Sequence, residues 1–363
     1  MVIAHVIDSM EVGGAEAVVA ALCRLQTAAG HRVSVHCLFQ KGSVAKQLEQ
    51  EGVRIYVHGP ARSATIVWRL FRSFRASRPA VVHCHNKTAT VHAGAAARLA
   101  GARVLVSTRH GMAALPYRLR KELKFWVIAA LFCDRVVAVC EAARRNMSEG
   151  ASAVAHKLVT IRNGAYPPAV GPESRVEKRG FTLVSVGRLA RAKNFDTLLR
   201  SVAVARRQVP DLMLWIVGGG DEGEKLRELS AQLALDRVVQ FCGERADVGS
   251  WLRCADVFVL SSVSEGLPIS ILEAMAAGLP AIVTAVGGMP EVITLSGAGV
   301  TVPAGDVEKL AQAIVDFANR RDELKLLGDR AQFCYRQHFT PERMSEQYLE
   351  LYESCLPVQG SGA

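Results

Sequence analysis

Residues 2–39, VIAHVIDSMEVGGAEAVVAALCRLQTAAGHRVSVHCLF, decide the fold. A β-branched apolar run at 2–8 precedes a helix-length amphipathic stretch at 15–29, and a second apolar run follows at 31–39. Strand, helix and strand in that order read as a βαβ unit, which implies a parallel sheet with helices on its faces. The same rhythm places a helix at 44–51 and strands at 80–83, 104–107, 135–139 and 158–161, where the first sheet is expected to end. Between 163 and 180 the chain reads NGAYPPAVGPESRVEKRG, where Gly, Pro and charge replace periodicity and mark a linker. Beyond it come FTLVSVG at 181–187, a helix at 195–208, LMLWIVG at 212–218, a helix at 222–234, and then VVQFCG, ADVFVL and PAIVT. Residues 307–356 read as helices, with Pro341 in a first turn after Thr340 as cap. The expectation is α/β: two Rossmann-like, doubly wound domains whose strand carboxyl ends face across a cleft, where such sheets bind ligands.

Composition agrees with this and removes other classes. A chain of 363 residues, 50% hydrophobic and 21% charged, is long enough for two cores and is neither disordered nor a stapled peptide. Nine cysteines, an odd number without a Cys-x-x-Cys pair, read as reduced thiols. The start MVIAHVIDSM lacks the basic and long apolar regions of a signal peptide, and the apolar run 125–133 is too short to cross a bilayer, so a cytoplasmic protein is expected. The net charge of +10 is uneven: residues 1–170 carry 23 Lys and Arg against 9 Asp and Glu, and residues 171–363 carry 21 against 25. The basic first half is expected to meet an anion, whether a lipid surface, a nucleic acid or a phosphorylated acceptor.

Five motifs sit where strands run into helices. Gly13-Gly14-Ala15-Glu16 opens the first helix, and backbone amides there suit a phosphate, though a plain tight turn reads the same. It is not a Gly-x-Gly-x-x-Gly fingerprint, which counts against a nicotinamide-dependent oxidoreductase. Ser185-Val186-Gly187-Arg188 followed by Lys193-Asn194 offers a guanidinium fork and a mobile ammonium, a pair suited to a diphosphate. Gly218-Gly219-Gly220-Asp221-Glu222 clears side chains from a strand end, or is a turn with an acidic first helical turn. In SEGLPISILEAM at 264–275, Pro268 fits a first helical turn, so Glu265 falls on the preceding loop and Glu273 about a turn and a half inside. One carboxylate can then face a reacting carbon while the other accepts paired hydroxyls such as those of a ribose. Ser107-Thr108-Arg109-His110-Gly111 places His110 on a loop, as a hydrogen bonder, as an acid or base near neutral pH, or as a structural histidine. His83 and His85 flank Cys84 in VVHCHN, but strand alternation turns Cys84 to the other face and disfavours a zinc site.

Taken in order, GGAE, VHCHN, TRHG, RNG, VGRL with Lys193, VGGGDE, SEGLPISILEAMAAGLP, VGGMPE and VPAGD resemble the family 4 retaining glycosyltransferases of GT-B fold over nearly the whole chain. The resemblance implies an acceptor-binding domain at 1–165, a nucleotide-sugar-binding domain at 166–340, and a helix at 341–363 packing back towards the first. It implies sugar transfer from a nucleotide-diphosphate sugar to a lipid-linked, polysaccharide or other cell-envelope hydroxyl, with retention and without a catalytic metal or other cofactor. Gly14 would give an amide to the diphosphate, and Arg188 and Lys193 would neutralise it as it leaves. Glu265 and His110 would contact the donor sugar, the amides of Gly266 and Leu267 the sugar or phosphate, and Glu273 the ribose. Base contacts are expected near 243–245. The family's Glu-Gly-Phe-Gly-Leu-Pro is shortened here to Glu265-Gly266-Leu267-Pro268, with the eight-residue offset to Glu273 kept, so the departure falls on the sugar pocket. A GT-B protein that binds without catalysis is the alternative; nucleic-acid binding has only net charge in its favour.

Under this reading the basic half gains a role. SATIVWRLFRSFRAS at 63–77 interleaves Arg69, Arg72 and Arg75 with Trp68, Leu70, Phe71 and Phe74, and Arg118, Arg120, Lys121 and Lys124 run into FWVIAALF. Both stretches resemble interfacial helices for an anionic membrane surface, or ordinary helices packed on a core.

Overall fold

The computed structural model describes residues 1–112, 119–171 and 176–356. The chain divides into two compact units, one of Met1–Gly164 with Pro341–Ala363 and the other of Ala165–Thr340.

The first unit alternates β1 (Val2–Ser9), α1 (Gly14–Ala28), β2 (Arg32–Gln40), α2 (Gly42–Gln50), β3 (Arg54–Val57), α3 (Ser63–Ser77), β4 (Val81–His85), α4 (Asn86–Leu99), β5 (Val104–Arg109), α5 (Leu119–Phe132), β6 (Arg135–Ala138), α6 (Glu141–Gly150) and β7 (Leu158–Thr160). All seven strands are parallel in the order β3-β2-β1-β4-β5-β6-β7. Near-continuous burial along β1, β2, β4 and β5 follows from helices covering both faces. The strand β3, RIYV, escaped sequence reading because it has four residues, begins with the exposed Arg54 and is only half buried. Strand order reverses direction between β1 and β4, which opens a crevice at their carboxyl ends.

The second unit contains β8 (Phe181–Val186), α7 (Phe195–Ala205), β9 (Leu212–Val217), α8 (Gly223–Gln232), β10 (Val239–Gly243), α9 (Val248–Cys254), β11 (Val257–Leu260), α10 (Ile269–Ala276), β12 (Ala281–Thr284), α11 (Met289–Ser296), β13 (Gly299–Val302), α12 (Val307–Asn319) and α13 (Leu324–His338). Its six parallel strands run β10-β9-β8-β11-β12-β13, with the reversal between β8 and β11. Phe181, Phe195, Leu198, Ile216, Ile282 and Ile314 form part of one buried cluster between this sheet and its helices. The strand β13, GVTV, was also missed, being short and glycine-led.

The last helix, α14 (Pro341–Cys355), belongs to the first unit and packs on α1. Its Tyr348 and Tyr352 are fully buried. Tyr352 Oη lies 2.6 Å from His83 Nδ1, and Tyr348 Oη 2.9 Å from Thr108 Oγ1. Residues 357–363, which end the predicted final segment, lie outside the described residues.

Candidate active site

The carboxyl ends of β8 and β11, at the reversal point of the second sheet, bring together Lys193 and Glu265. β8 exits through Gly187-Arg188-Leu189 into a short turn, Arg191–Lys193, and Asn194 takes a left-handed conformation before α7. β11 exits through Ser261-Ser262. Ser261 Oγ lies 3.0 Å from the carbonyl oxygens of both Lys193 and Asn194, and the Val263 amide donates to Ala192 O at 2.9 Å, so the two loops are tied along their length. Lys193 Nζ then lies 2.6 Å from Glu265 Oε1, and Ser262 Oγ donates to the same oxygen at 2.7 Å. The sequence placed these two side chains on separate tasks; the structure pairs them directly. Arg188 is exposed, and its side chain meets no ion-pair partner among the described residues.

Two glycine motifs brace these loops. Gly218 and Gly220 have φ of +139° and +147°, and a Cβ would fall 2.1 Å from Gly187 O and 2.6 Å from Leu189 O. The Leu189 amide donates to Gly219 O at 2.7 Å. The triple glycine therefore lets the Arg188 loop lie on the end of β9, a packing role. Gly287 has φ of +57°, and its Cβ would fall 2.1 Å from the carbonyl oxygen of Glu265. The Gly288 amide donates to Gly266 O at 2.7 Å, and Thr284 Oγ1 to Ser262 O at 2.6 Å. Ser262, Thr284 and Gly287 were not singled out from sequence, although VGGMPE directly after a strand carried the signal for the last.

Pro268 is the cap of α10 and not its first-turn residue; its ψ of 135° is extended, so the helix begins at Ile269. Glu273, the fifth helical residue, keeps the expected offset, and burial pushes its carboxyl pKa up to about 7. Gly266 and Leu267 are buried between Glu265 and the helix. Of the 243–245 stretch, Gly243 O accepts from the Gly218 amide at 2.8 Å, while Arg245 pairs with Asp247 at 2.8 Å.

In the first unit, Gly14 is exposed at the first residue of α1, where helix amides lack intrahelical acceptors. His110 follows β5, and its amide donates to Asn86 Oδ1 at 3.1 Å. Its ring Nε2 lies 3.0 Å from His85 Nδ1, and burial lowers its pKa to about 4. His110 is thus neutral at physiological pH, which removes the expected titration near neutrality. His5, His83 and His85 approach closely enough to hold an ion. Each of their six ring nitrogens, however, is already engaged by Gln26, Thr108, Tyr352, His110 or one another. They form a hydrogen-bonded network to which His5 and Gln26, unrecognised in the sequence, contribute.

The basic helices divide in character. Ile66, Leu70 and Phe74 of α3 are buried in the core, so its apolar face is not open to lipid; Trp68, 55% exposed, lies outward under Arg72. On α5, Phe125 and Trp126 are buried, and Leu123, Val127 and Leu131 form an exposed stripe at four-residue spacing beside Lys124. Arg118 and the side chains of Arg120 and Lys121 lie outside the described residues. Among the described residues no helix is long and apolar enough to cross a membrane.

The family model described as Glycosyltransferase Family 4 matches residues 12–167, and that described as Glycosyl transferases group 1 matches residues 180–320. The chain belongs to the family 4 glycosyltransferases of GT-B fold. It is similar to the lipopolysaccharide core biosynthesis glycosyltransferase LpsE of Rhizobium meliloti, with 32% identity across 47% of this chain and 49% of that protein. It is also similar to the UDP-Gal:alpha-D-GlcNAc-diphosphoundecaprenol alpha-1,3-galactosyltransferase of Escherichia coli, with 27% identity across 68% of each. The chain thus matches between about half and two thirds of the length of these relatives. The solved structure of Anabaena Alr3699/HepE in complex with UDP-glucose shares the fold at 20% identity, with a TM-score of 0.85, covering 98% of this chain and 100% of that one.

Proposed function

We propose that this protein is a retaining glycosyltransferase that moves a sugar from a nucleotide-diphosphate sugar to a hydroxyl of a lipid-linked or polysaccharide acceptor, without a catalytic metal. The observation that carries the reading is the Lys193–Glu265 pair at the reversal point of the second sheet. Exposed Arg188 and the partly buried Lys193 at one corner supply fixed positive charge for a departing diphosphate, the task a metal performs elsewhere. Glu265, held by Ser262 and Lys193, supplies negative charge where the anomeric carbon becomes positive. In the proposed step the bond from anomeric carbon to diphosphate oxygen breaks as the acceptor oxygen bonds to that carbon on the same face. The acceptor's proton passes to the leaving diphosphate. Glu265 acts by its charge and forms no covalent bond.

The two relatives, one named for lipopolysaccharide core synthesis and one for a diphosphoundecaprenol-linked acceptor, support a cell-envelope acceptor. A lipid-linked acceptor fits a protein that docks on the cytoplasmic face of an anionic membrane through Lys124, Leu123, Val127 and Leu131 on α5 and the arginines of α3. Flotation with vesicles should show binding to anionic but not neutral lipid, reduced by Leu131→Ser; equal binding to both would remove the membrane from the account.

The donor is tested by adding UDP-, GDP- and ADP-sugars to the purified protein in EDTA. One of them should raise the melting temperature and be slowly hydrolysed, because a ligand of the folded state stabilises it. No response at millimolar concentration would overturn the transferase reading.

A further inference from the structure

Four buried side chains of the first unit form a single file. Gln26 Oε1 lies 2.9 Å from His5 Nε2, His5 Nδ1 lies 3.0 Å from His85 Nε2, and His85 Nδ1 lies 3.0 Å from His110 Nε2. Gln26, His5 and His85 have no exposed surface, and the His85 and His110 rings stack with centroids 5.3 Å apart. Burial lowers the pKa of His5 and His110 to about 4 and that of His85 well below its usual range. Each ring is therefore neutral and carries a proton on one nitrogen only.

Polarity in such a file is all or none, because a neutral imidazole that accepts on one side must donate on the other. Gln26 Oε1 can only accept, so His5 donates through Nε2 and accepts at Nδ1. His85 then donates through Nε2 to His5 and accepts at Nδ1 from His110 Nε2–H. His110 Nδ1 is left with a bare lone pair. At one end the Gln26 amide faces the Tyr352 hydroxyl, and at the other His110 Nδ1 is buried with no hydrogen-bond partner among the described residues. Every internal nitrogen is satisfied while the His110 end is open, and an unpaired buried acceptor is the kind of vacancy a ligand group fills.

We propose that Gln26, His5 and His85 are positioning residues that hold His110 as its Nε2–H tautomer, so that Nδ1 accepts a hydrogen bond from a hydroxyl of the donor sugar and disfavours an anionic phosphate oxygen. A hydroxyl has a proton to give, whereas an ionised phosphate oxygen would set lone pair against lone pair. His110 is thereby a reader of sugar hydroxyls. A second run, Tyr352–His83–Thr108–Tyr348, satisfies His83 through both ring nitrogens and meets the first where the Tyr352 hydroxyl faces the Gln26 amide. The sugar contact rests on the glycosyltransferase reading; the tautomer does not.

The test uses full-length 15N-labelled protein without ligand at neutral pH, in which long-range 1H–15N correlation reads each imidazole tautomer and His110→Gln assigns the signal. His110 should show the Nε2–H form alone. In Gln26→Met, which removes the end acceptor with little change of volume, the signal should move towards a mixture of tautomers. An Nδ1–H form in the wild type, or an unchanged signal in folded Gln26→Met, overturns the relay. Binding of UDP-glucose should weaken roughly threefold to tenfold in Gln26→Met while UDP binding stays within about twofold, the scale of one neutral hydrogen bond. Equal weakening of both ligands overturns the selectivity for hydroxyl. Failure of the wild type to bind any nucleotide sugar counts against the glycosyltransferase reading, and the tautomer remains decided by the ligand-free spectrum.

Discussion

Lys193 Nζ and Glu265 Oε1 lie 2.6 Å apart, with 19% and 13% of their side chains exposed. They come from loops after β8 and β11, 72 residues apart in the chain. Neither charge is free before a ligand arrives, so an incoming diphosphate competes for an ammonium that is already positioned. Removing either partner leaves the other partly buried and uncompensated. Lys193→Ala and Glu265→Gln should each destabilise the protein, and the double variant should lose less than the sum by about 1–3 kcal/mol. Urea denaturation of the four proteins measures this; strict additivity would show the pair to be uncoupled.

Gly287 presses on the same loop from the other side. A methyl group at Gly287 would overlap the Glu265 carbonyl, whereas Gly30, also at positive φ, has nothing within 4 Å of such a Cβ. Gly287→Ala should cost about 2–4 kcal/mol and lower donor turnover at least about tenfold, and Gly30→Ala about 1 kcal/mol with turnover unchanged. Thermal melts and nucleotide-release assays on both variants give the comparison. Equal losses would mean that only backbone conformation is felt.

Glu273 makes binding depend on pH. Its carboxyl pKa of about 7 in the folded protein lies above the ordinary value of 4.5. Only the ionised form accepts from both ribose hydroxyls, so affinity for a nucleotide sugar, whose diphosphate diester does not titrate here, should fall roughly tenfold from pH 8 to pH 6. Glu273→Gln should flatten the profile. For stability the sign is opposite: the raised pKa favours the folded state at low pH, and that contribution is lost as pH rises from 4.5 through 7. Glu273→Gln should therefore stabilise the protein at pH 8 by roughly 1–3 kcal/mol and little at pH 4.

Tyr352 ties α14 to the first unit through His83. Tyr352→Phe leaves a fully buried imidazole nitrogen without its partner and should cost about 1–3 kcal/mol, read as a lower urea midpoint with an unchanged slope. No change would place the holding of α14 in its apolar packing alone.

The alternation of strand and helix was legible because parallel strands buried on both faces read as apolar runs, and RVSVHCLFQ and LMLWIV did so. The edge strand RIYV and the short GVTV did not, being half exposed. The offset from Glu265 to Glu273 survived although Pro268 proved to be a cap, since one residue of helix boundary does not alter spacing along the chain. What the letters could not carry was pairing at a distance: Lys193 with Glu265, Gly287 beneath a carbonyl, and a histidine file from Gln26 to His110 drawn from four elements. The apolar positions of α3 read either as a lipid-facing stripe or as a core face, and Leu70 and Phe74 are core, because periodicity gives a face without saying what covers it.

The most direct test of the account is nucleotide release from the responding nucleotide sugar in EDTA, by the wild type and by Glu265→Gln. The account predicts steady release by the wild type and a loss of about a hundredfold or more in kcat in the variant, with KM for the donor little changed, as for removal of a charge that acts in the transition state. Release dependent on added divalent metal, or equal kcat in the two proteins, would contradict it.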